Sequence, residues 1–280
     1  MNYCNPEGFR NEIKELLARG DIDAFYHWFD GGETKEGAFK KGADVFNRVI
    51  FPFANKYIGD RLKNEPVALD LGYGAGTKVA AALDFFSKVY GIDVHEEFKF
   101  TLENIQLPKY REVELLTSDG HTIPVGAGAV DFVYSWLTFC NIGTIENVEI
   151  YLKEIYRVLK PGGIAVIFFT RLIRSSKNQT WKQVEADIKK EMAHPTGYRE
   201  GGPKSRVRTI NLVMSMHMIE ELAEAAKFQL LERTASWDNT PAGRIYHGQY
   251  GIVIRKPAPK VSKPKVIRKP AATIIRRKKK

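Results

Sequence analysis

Val67-Ala68-Leu69-Asp70-Leu71-Gly72-Tyr73-Gly74-Ala75-Gly76-Thr77 is an apolar run that ends in an acid and then in three glycines on alternate positions. Its first five residues have the length and composition of a buried strand. After Thr77 the apolar residues Val79, Ala80, Leu83 and Phe86 follow helical spacing. The glycines therefore fall where the carboxyl end of a strand passes to the amino end of a helix. Such a junction suits a ligand. Glycine lets the backbone turn without a Cβ in the way, and the first helical turn presents free N–H donors and partial positive charge.

Downstream, Lys88-Val89-Tyr90-Gly91-Ile92-Asp93 reads as a second strand ending in an acid, 21 residues beyond Gly72. The separation fits a β-α-β unit. A carboxylate at the tip of the neighbouring strand can accept hydrogen bonds from both hydroxyls of a ribose. A dinucleotide fingerprint would need its third glycine at position 77, and that position is Thr77. A third strand, Val113 to Thr117, ends in Ser118-Asp119-Gly120. A fourth, Ala129 to Trp136, leads into Leu137, Thr138 and Asn141, and an amphipathic helix over Ile150–Leu159 is closed by Lys160-Pro161-Gly162-Gly163 ahead of a fifth strand, Ile164 to Thr170. Phe228–Trp237 and Ile245–Arg255 then read as a hairpin about an Asp238–Arg244 turn.

The D-L-G-x-G-x-G arrangement from Asp70 to Gly76 resembles the first motif of the class I S-adenosylmethionine-dependent methyltransferases, with Tyr73 where many members carry a small residue. The Lys160–Gly163 stop is similar to a downstream motif of the same family. The resemblance runs from about residue 44 to 255. It implies an α/β, Rossmann-like three-layer sandwich whose seven-stranded, mostly parallel sheet has an antiparallel C-terminal strand, and S-adenosyl-L-methionine as cofactor. By the same resemblance Gly72, Tyr73, Gly74 and Gly76 border the methionine part, and Asp70 helps position its amino group. Asp93 and its neighbour Val94 take the ribose, Asp119 and Gly120 the adenine, and Ser135 and Trp136 border cofactor and acceptor.

Ahead of the glycine turn, residues 7 to 29 read as one or two helices with Phe25, Tyr26, Trp28 and Phe29 crowded together, and glycines at 31, 32 and 37 mark a loop. A further helix is expected from about Asp44 to Arg61, kinked at Pro52. Residues 1–43 are taken as a helical lid or cap, 44–255 as the main domain, 171–209 as an acceptor-side insert and 256–280 as a disordered basic tail. The insert holds ten Lys or Arg against four acids, which suits an anionic acceptor.

Charge and composition narrow the classes. The net charge is +10, yet residues 256–280 hold eleven Lys or Arg and no acid, leaving 32 basic against 33 acidic side chains elsewhere. The tail is thus the candidate contact for nucleic acid or an anionic membrane surface. No apolar run reaches the roughly 20 residues of a membrane span, and residues 1–14 lack the apolar middle of a signal peptide. A cytoplasmic protein without a transmembrane segment is expected. Cys4 and Cys140 have no metal-like spacing, so no metal is expected.

Methyl transfer to an O or N nucleophile of a small molecule, sugar or lipid-linked acceptor is the leading expectation. The alternatives are an RNA or protein methyltransferase recruited through the tail, and a non-catalytic binding protein on the same fold. No motif names a catalytic group. His194, His217, His247, Tyr198 and Asp131 are conceivable bases.

Overall fold

The computed structural model describes residues 6–30, 34–172, 180–193, 197–200, 211–240 and 243–259. Its centre is a seven-stranded sheet. The strands are β1 (Val67–Leu71), β2 (Lys88–Asp93), β3 (Glu112–Thr117), β4 (Val130–Ser135), β5 (Leu159–Thr170), β8 (Gln229–Thr240) and β9 (Gly243–Arg255), in the order β3-β2-β1-β4-β5-β9-β8. The first five pair in parallel, while β9 runs antiparallel to both β5 and β8. The order reverses between β1 and β4, and at such a switch point the chain leaves the sheet in opposite directions and opens a crevice at the strand ends.

The alternation of β5 shows how the sequence makes three layers. Ala165, Ile167 and Phe169 join one core with α6 (Ile145–Val158), α7 (Trp181–Ala193) and α8 (Met216–Ala225). Ile164, Val166 and Phe168 face the other core, built with the amino-terminal helices α1 (Pro6–Ala18), α2 (Ile22–Asp30), α3 (Lys35–Val45), α4 (Phe51–Ile58) and α5 (Thr77–Ala82). A strand covered on both faces buries every residue, so its run is apolar throughout and lacks polar alternation.

Several local expectations need correction. The helix expected from Asp44 begins at Lys35, where the Thr34 side chain accepts the N–H of Gly37, so Gly37 lies in a first helical turn and not in a loop. Pro52 does not kink a continuous helix. A π-helical turn, Phe46–Ile50, precedes it and Pro52 opens α4, where the N–H it lacks is not needed. The helix expected from residue 95 to 106 on its apolar spacing is a 3-10 helix, Glu96–Asn104. The Lys160–Gly163 stop lies inside β5, which starts at Leu159, with Gly162 at φ 78. The hairpin strands pair as far as Thr240 and Gly243, so the turn is tighter than Asp238–Arg244. A second sheet, β6 (Tyr198–Glu200) against β7 (Leu212–Met214), was not legible in the pattern. His194, most of the loop after it and residues 260–280 of the tail lie outside the described residues.

Candidate functional site

The glycine turn is built by contacts its own sequence does not contain. Gly72 donates its N–H to the carbonyl of Ile92 at 2.7 Å, and the hydroxyls of Ser135 and Thr138 both donate to the carbonyl of Leu71, at 3.0 and 2.9 Å. These bonds tie the exits of β1, β2 and β4 together. A Cβ on Gly72 would stand 2.0 Å from the Thr138 Oγ1, so the tie requires glycine there. A Cβ on Gly74 would meet the ring of Phe29 at 2.1 Å, because α2 lays that ring on the turn.

Beside this turn, at the carboxyl ends of the parallel strands, opens a cavity of about 380 Å³. Leu71, Gly72, Tyr73 and Lys78 line it from β1 and α5, and Ile92, Asp93, Val94 and His95 from the end of β2. Ser118 and Gly120 come from the end of β3, and Trp136 to Thr138 with Asn141 from the end of β4. Phe9, Trp28 and Phe29 reach it from α1 and α2.

Asp93 is the carboxylate of this wall. One oxygen accepts the N–H of Gly74 and the other the N–H of His95, each at 3.1 Å, and the carboxylate keeps capacity to accept from a further donor. Burial raises its carboxyl to about 6, against backbone N–H bonds from His95, Gly74 and Val94 that favour the charged form. His95 is its counterpart. The ring packs on Phe9 and Phe98, at 5.8 and 5.6 Å between centroids, and is only 8% exposed. Its Nδ1 is buried with no hydrogen-bond partner. Burial, helped by the charge of Arg10 and opposed by Glu97, lowers the imidazole to about 4, so the ring is neutral at pH 7.

The cavity thus gathers Gly72, Tyr73, Asp93, Val94, Gly120 and Trp136 of the residues expected at a cofactor site. It does not gather the rest. Asp70 is 1% exposed inside β1 and takes a hydrogen bond from the Tyr134 hydroxyl, which raises that phenol further beyond what burial does. Asp119 is exposed and turned into its own loop. Its carboxylate accepts the N–H groups of His121 and Thr122 at 2.8 and 2.7 Å, which hold it below the usual carboxylate range. Ser135 is committed to Leu71, Gly74 lies under Phe29, and Gly76, at φ 73, caps α5 outside the lining. Tyr73 folds over Gly91 towards Phe98, and burial raises its phenol far above its ordinary range.

Of the conceivable bases, His194 and the side chain of His247 lie outside what the structure describes, and the other three are not in the lining. Asp131 is paired at the opposite end of the sheet, His217 faces Glu221 at 3.2 Å on α8, and Tyr198 is half exposed on β6. The aromatic cluster of α2 divides: Phe25 and Tyr26 are fully buried in the core, while Trp28 and Phe29 line the cavity. Sequence reasoning missed Phe9, Lys78 and His95. His95 had one legible signal, its place two residues beyond the acid of β2, whereas Phe9 reaches the wall only because α1 folds back over the 3-10 helix. That fold is pinned by Arg10 and Lys14 on Glu97, at 3.1 and 3.4 Å.

With this geometry in hand, the comparisons are specific. Residues 69–167, from the middle of β1 almost to the end of β5, match the family described as methyltransferase domain. The matched stretch, about a third of the chain, is similar to a methyltransferase domain and holds all but the edges of the parallel part of the sheet. Two solved structures share the fold of this domain: an S-adenosylmethionine-dependent methyltransferase from Methanosarcina mazei and one from Aquifex aeolicus. The first has a TM-score of 0.51 at 16% identity, over 72% of this chain and 97% of the other. The second has a TM-score of 0.50 at 20% identity, over 78% and 96%. A curated relative, the mouse tRNA (carboxymethyluridine(34)-5-O)-methyltransferase ALKBH8, is 26% identical over 121 residues. The match takes in 43% of this chain and only 17% of that protein.

A methyltransferase domain implies S-adenosylmethionine as the methyl donor, and the wall fits it. The volume lies in the range of pockets for ligands of this size, and Asp93 keeps room to accept from a ribose hydroxyl. The remaining surface is mostly apolar and aromatic. Among the described residues no helix is long and apolar enough to cross a membrane.

Proposed function

We propose that the chain transfers a methyl group from S-adenosylmethionine to an O or N nucleophile of a small molecule, sugar or lipid-linked acceptor, by in-line displacement. The observation that carries the reading is the cavity at the switch point, where an unpaired carboxylate at the tip of β2 faces an apolar hollow beside the glycine turn. When bound, the cofactor supplies a methyl group already activated by its sulfonium. What remains for the protein is to hold, align and keep dry. Asp93 holds the ribose hydroxyls, with Gly120 and Val94 beside it. Phe29, Trp28 and Phe9 exclude water from above.

Neither His95, lowered to about 4, nor Asp93, already held by backbone N–H groups, is a strong base at pH 7. The acceptor therefore brings a nucleophile that is free at neutral pH or loses its proton to solvent. Isothermal titration with S-adenosylmethionine tests the reading. Micromolar binding with heat supports it, and no heat at millimolar cofactor would leave a non-catalytic scaffold.

A second reading has a specific observation behind it, the relative that acts on tRNA together with eleven basic residues in the last 25. On that reading the acceptor is RNA, recruited by the tail. Retention of RNA by the full chain is compared with that of a chain ending at Arg255. A loss of tenfold or more on truncation favours RNA, and equal retention removes the tail from the argument.

A further inference from the structure

Among the described residues, Glu65, Tyr110, Leu137 and Lys227 take a positive φ without being glycine. Of these only Leu137, at φ 60, lines the cavity. A left-handed backbone crowds Cβ against the following carbonyl and costs free energy in a leucine, so it persists only where surrounding bonds over-determine it. They do so here. The Leu137 carbonyl accepts the Cys140 thiol at 3.0 Å and the Asn141 side-chain amide at 2.8 Å. One residue on, the Thr138 hydroxyl donates to the Leu71 carbonyl at 2.9 Å, and the Thr138 carbonyl accepts the Asn141 N–H at 2.8 Å. The turn after β4 thus fixes the backbone that carries Leu137, and the residue stays 50% exposed on the cavity wall. An exposed leucine by itself is ordinary. One held open on a wall, at a cost to its own backbone, points to a ligand.

We infer that Leu137 is the apolar contact for the methyl acceptor, and that the acceptor presents an uncharged, apolar face at the exit of β4. The inference rests on the S-adenosylmethionine reading and deepens it by narrowing the acceptor to an apolar small molecule or the chain of a lipid-linked one. Asp93 stands at the exit of β2 and Leu137 just past the exit of β4, with β1 between those strands in the sheet. Two strand spacings separate them by about 10 Å. A carboxylate that can still accept suits the ribose hydroxyls, which leaves the β4 side of the cavity to the second substrate. The glycine turn lies between two flanks: Thr138, next to Leu137, fills the place of a Cβ on Gly72, and the Phe29 ring fills that on Gly74. Covering the open half of Leu137 with an apolar group removes hydrocarbon from water. A phosphate or carboxylate placed there would lose its hydration against leucine without a partner.

The probe is N-phenyl-1-naphthylamine, an uncharged apolar fluorophore, titrated into the full chain already saturated with S-adenosylhomocysteine. The wild-type protein is expected to take it up with a rise in fluorescence. Leu137→Asn tolerates the left-handed backbone and removes the apolar contact. It should weaken the probe about tenfold or more, leave S-adenosylhomocysteine within about twofold, and hold or raise the melting temperature. Leu137→Met should recover most of the probe affinity. Equal probe affinity in wild type and Leu137→Asn would overturn the inference while the cofactor reading stands, and so would a loaded wild-type protein that leaves the probe dark. Parallel loss of both ligands, or a lower melting temperature in Leu137→Asn, would also overturn it, making Leu137 a prop of the wall. If the wild-type protein does not bind S-adenosylhomocysteine, the cofactor reading fails and the inference falls with it.

Discussion

Two aspartates at opposite ends of the same parallel sheet carry opposite lessons. Asp131, at the entry to β4, is 4% exposed and fully engaged. It accepts from Lys160 at 2.7 Å, from the N–H of Val67 at 3.0 Å and from Arg61 at 3.4 Å. Asp93, at the exit of β2, has backbone N–H partners only among the described residues, and no cation of theirs pairs with it. The first charge is neutralised by lysine and arginine and holds β1, β4 and β5 in register. The second is left with spare lone pairs beside a hollow, at a cost in its own ionisation. A buried acid whose charge is matched by cations serves the fold, and one that meets only backbone N–H groups beside a cavity is a candidate for a ligand.

The contrast can be broken by substitution at either end. Asp131→Ala strands Arg61, Lys160 and the Val67 N–H, and should cost about 2–3 kcal/mol, lowering the melting temperature by about 5–10 °C. Cofactor affinity should stay within about threefold, as calorimetry would show, since the residue lies at the far end of the strands. Asp93→Ala should do the reverse: affinity for S-adenosylmethionine falls about tenfold or more, while the melting temperature holds or rises. Unchanged affinity in that variant would mean that the unpaired carboxylate is not a ribose site.

The pH dependence sharpens the same point, because the cavity end holds two groups displaced from their ordinary ionisation. His95 is lowered to about 4 in the fold, so the stability it contributes is present above pH 6.5 and is lost as pH falls from there towards 4. That loss, of order 2–3 kcal/mol, should be absent in His95→Phe, which keeps the ring packing on Phe9 and Phe98. Asp93 is raised to about 6 and acts with the opposite sign. Its contribution is present below pH 4 and is lost as pH rises through 6, so Asp93→Ala should gain most over wild type near neutrality. Cofactor affinity follows the charged form and should weaken by up to about tenfold between pH 7 and pH 5. A flat affinity over that interval would separate Asp93 from binding. The smallest effect is expected from Phe29→Ala, which uncovers Gly74 and should cost a few-fold in affinity by admitting water.

Much of this molecule could be read from one dimension. The glycine turn, the acid of β2 and the five parallel strands all rest on patterns within some 25 residues, whereas the order of strands in the sheet is seen only in the structure. The antiparallel strand next to β5 was legible through its hairpin. The acids of the site were read less well. Asp70, Asp93 and Asp119 all follow or end apolar strands, and nothing in their immediate sequence distinguishes them. Asp119 is lost to the cavity because two backbone N–H groups of its own loop reach it first, and Asp70 because its strand turns it towards Tyr134. Phe25 to Phe29 looked like one cluster, yet helical rotation sends two rings to the core and two to the wall.

The sequence by itself determined the strand-to-helix glycine turn and the acid at the tip of β2. Both depend on local periodicity, glycine spacing and strand composition acting over a few residues, while the fold class came with the resemblance of the glycine motif to a known family. Only the tertiary structure decided which side chains close the cavity. Phe29 on Gly74, Phe9 on His95, and Asp131 between Arg61 and Lys160 are meetings of residues 29 to 86 positions apart, drawn from separate strands and helices. Contacts of that kind are fixed by how the layers pack, and packing is a property of the whole core.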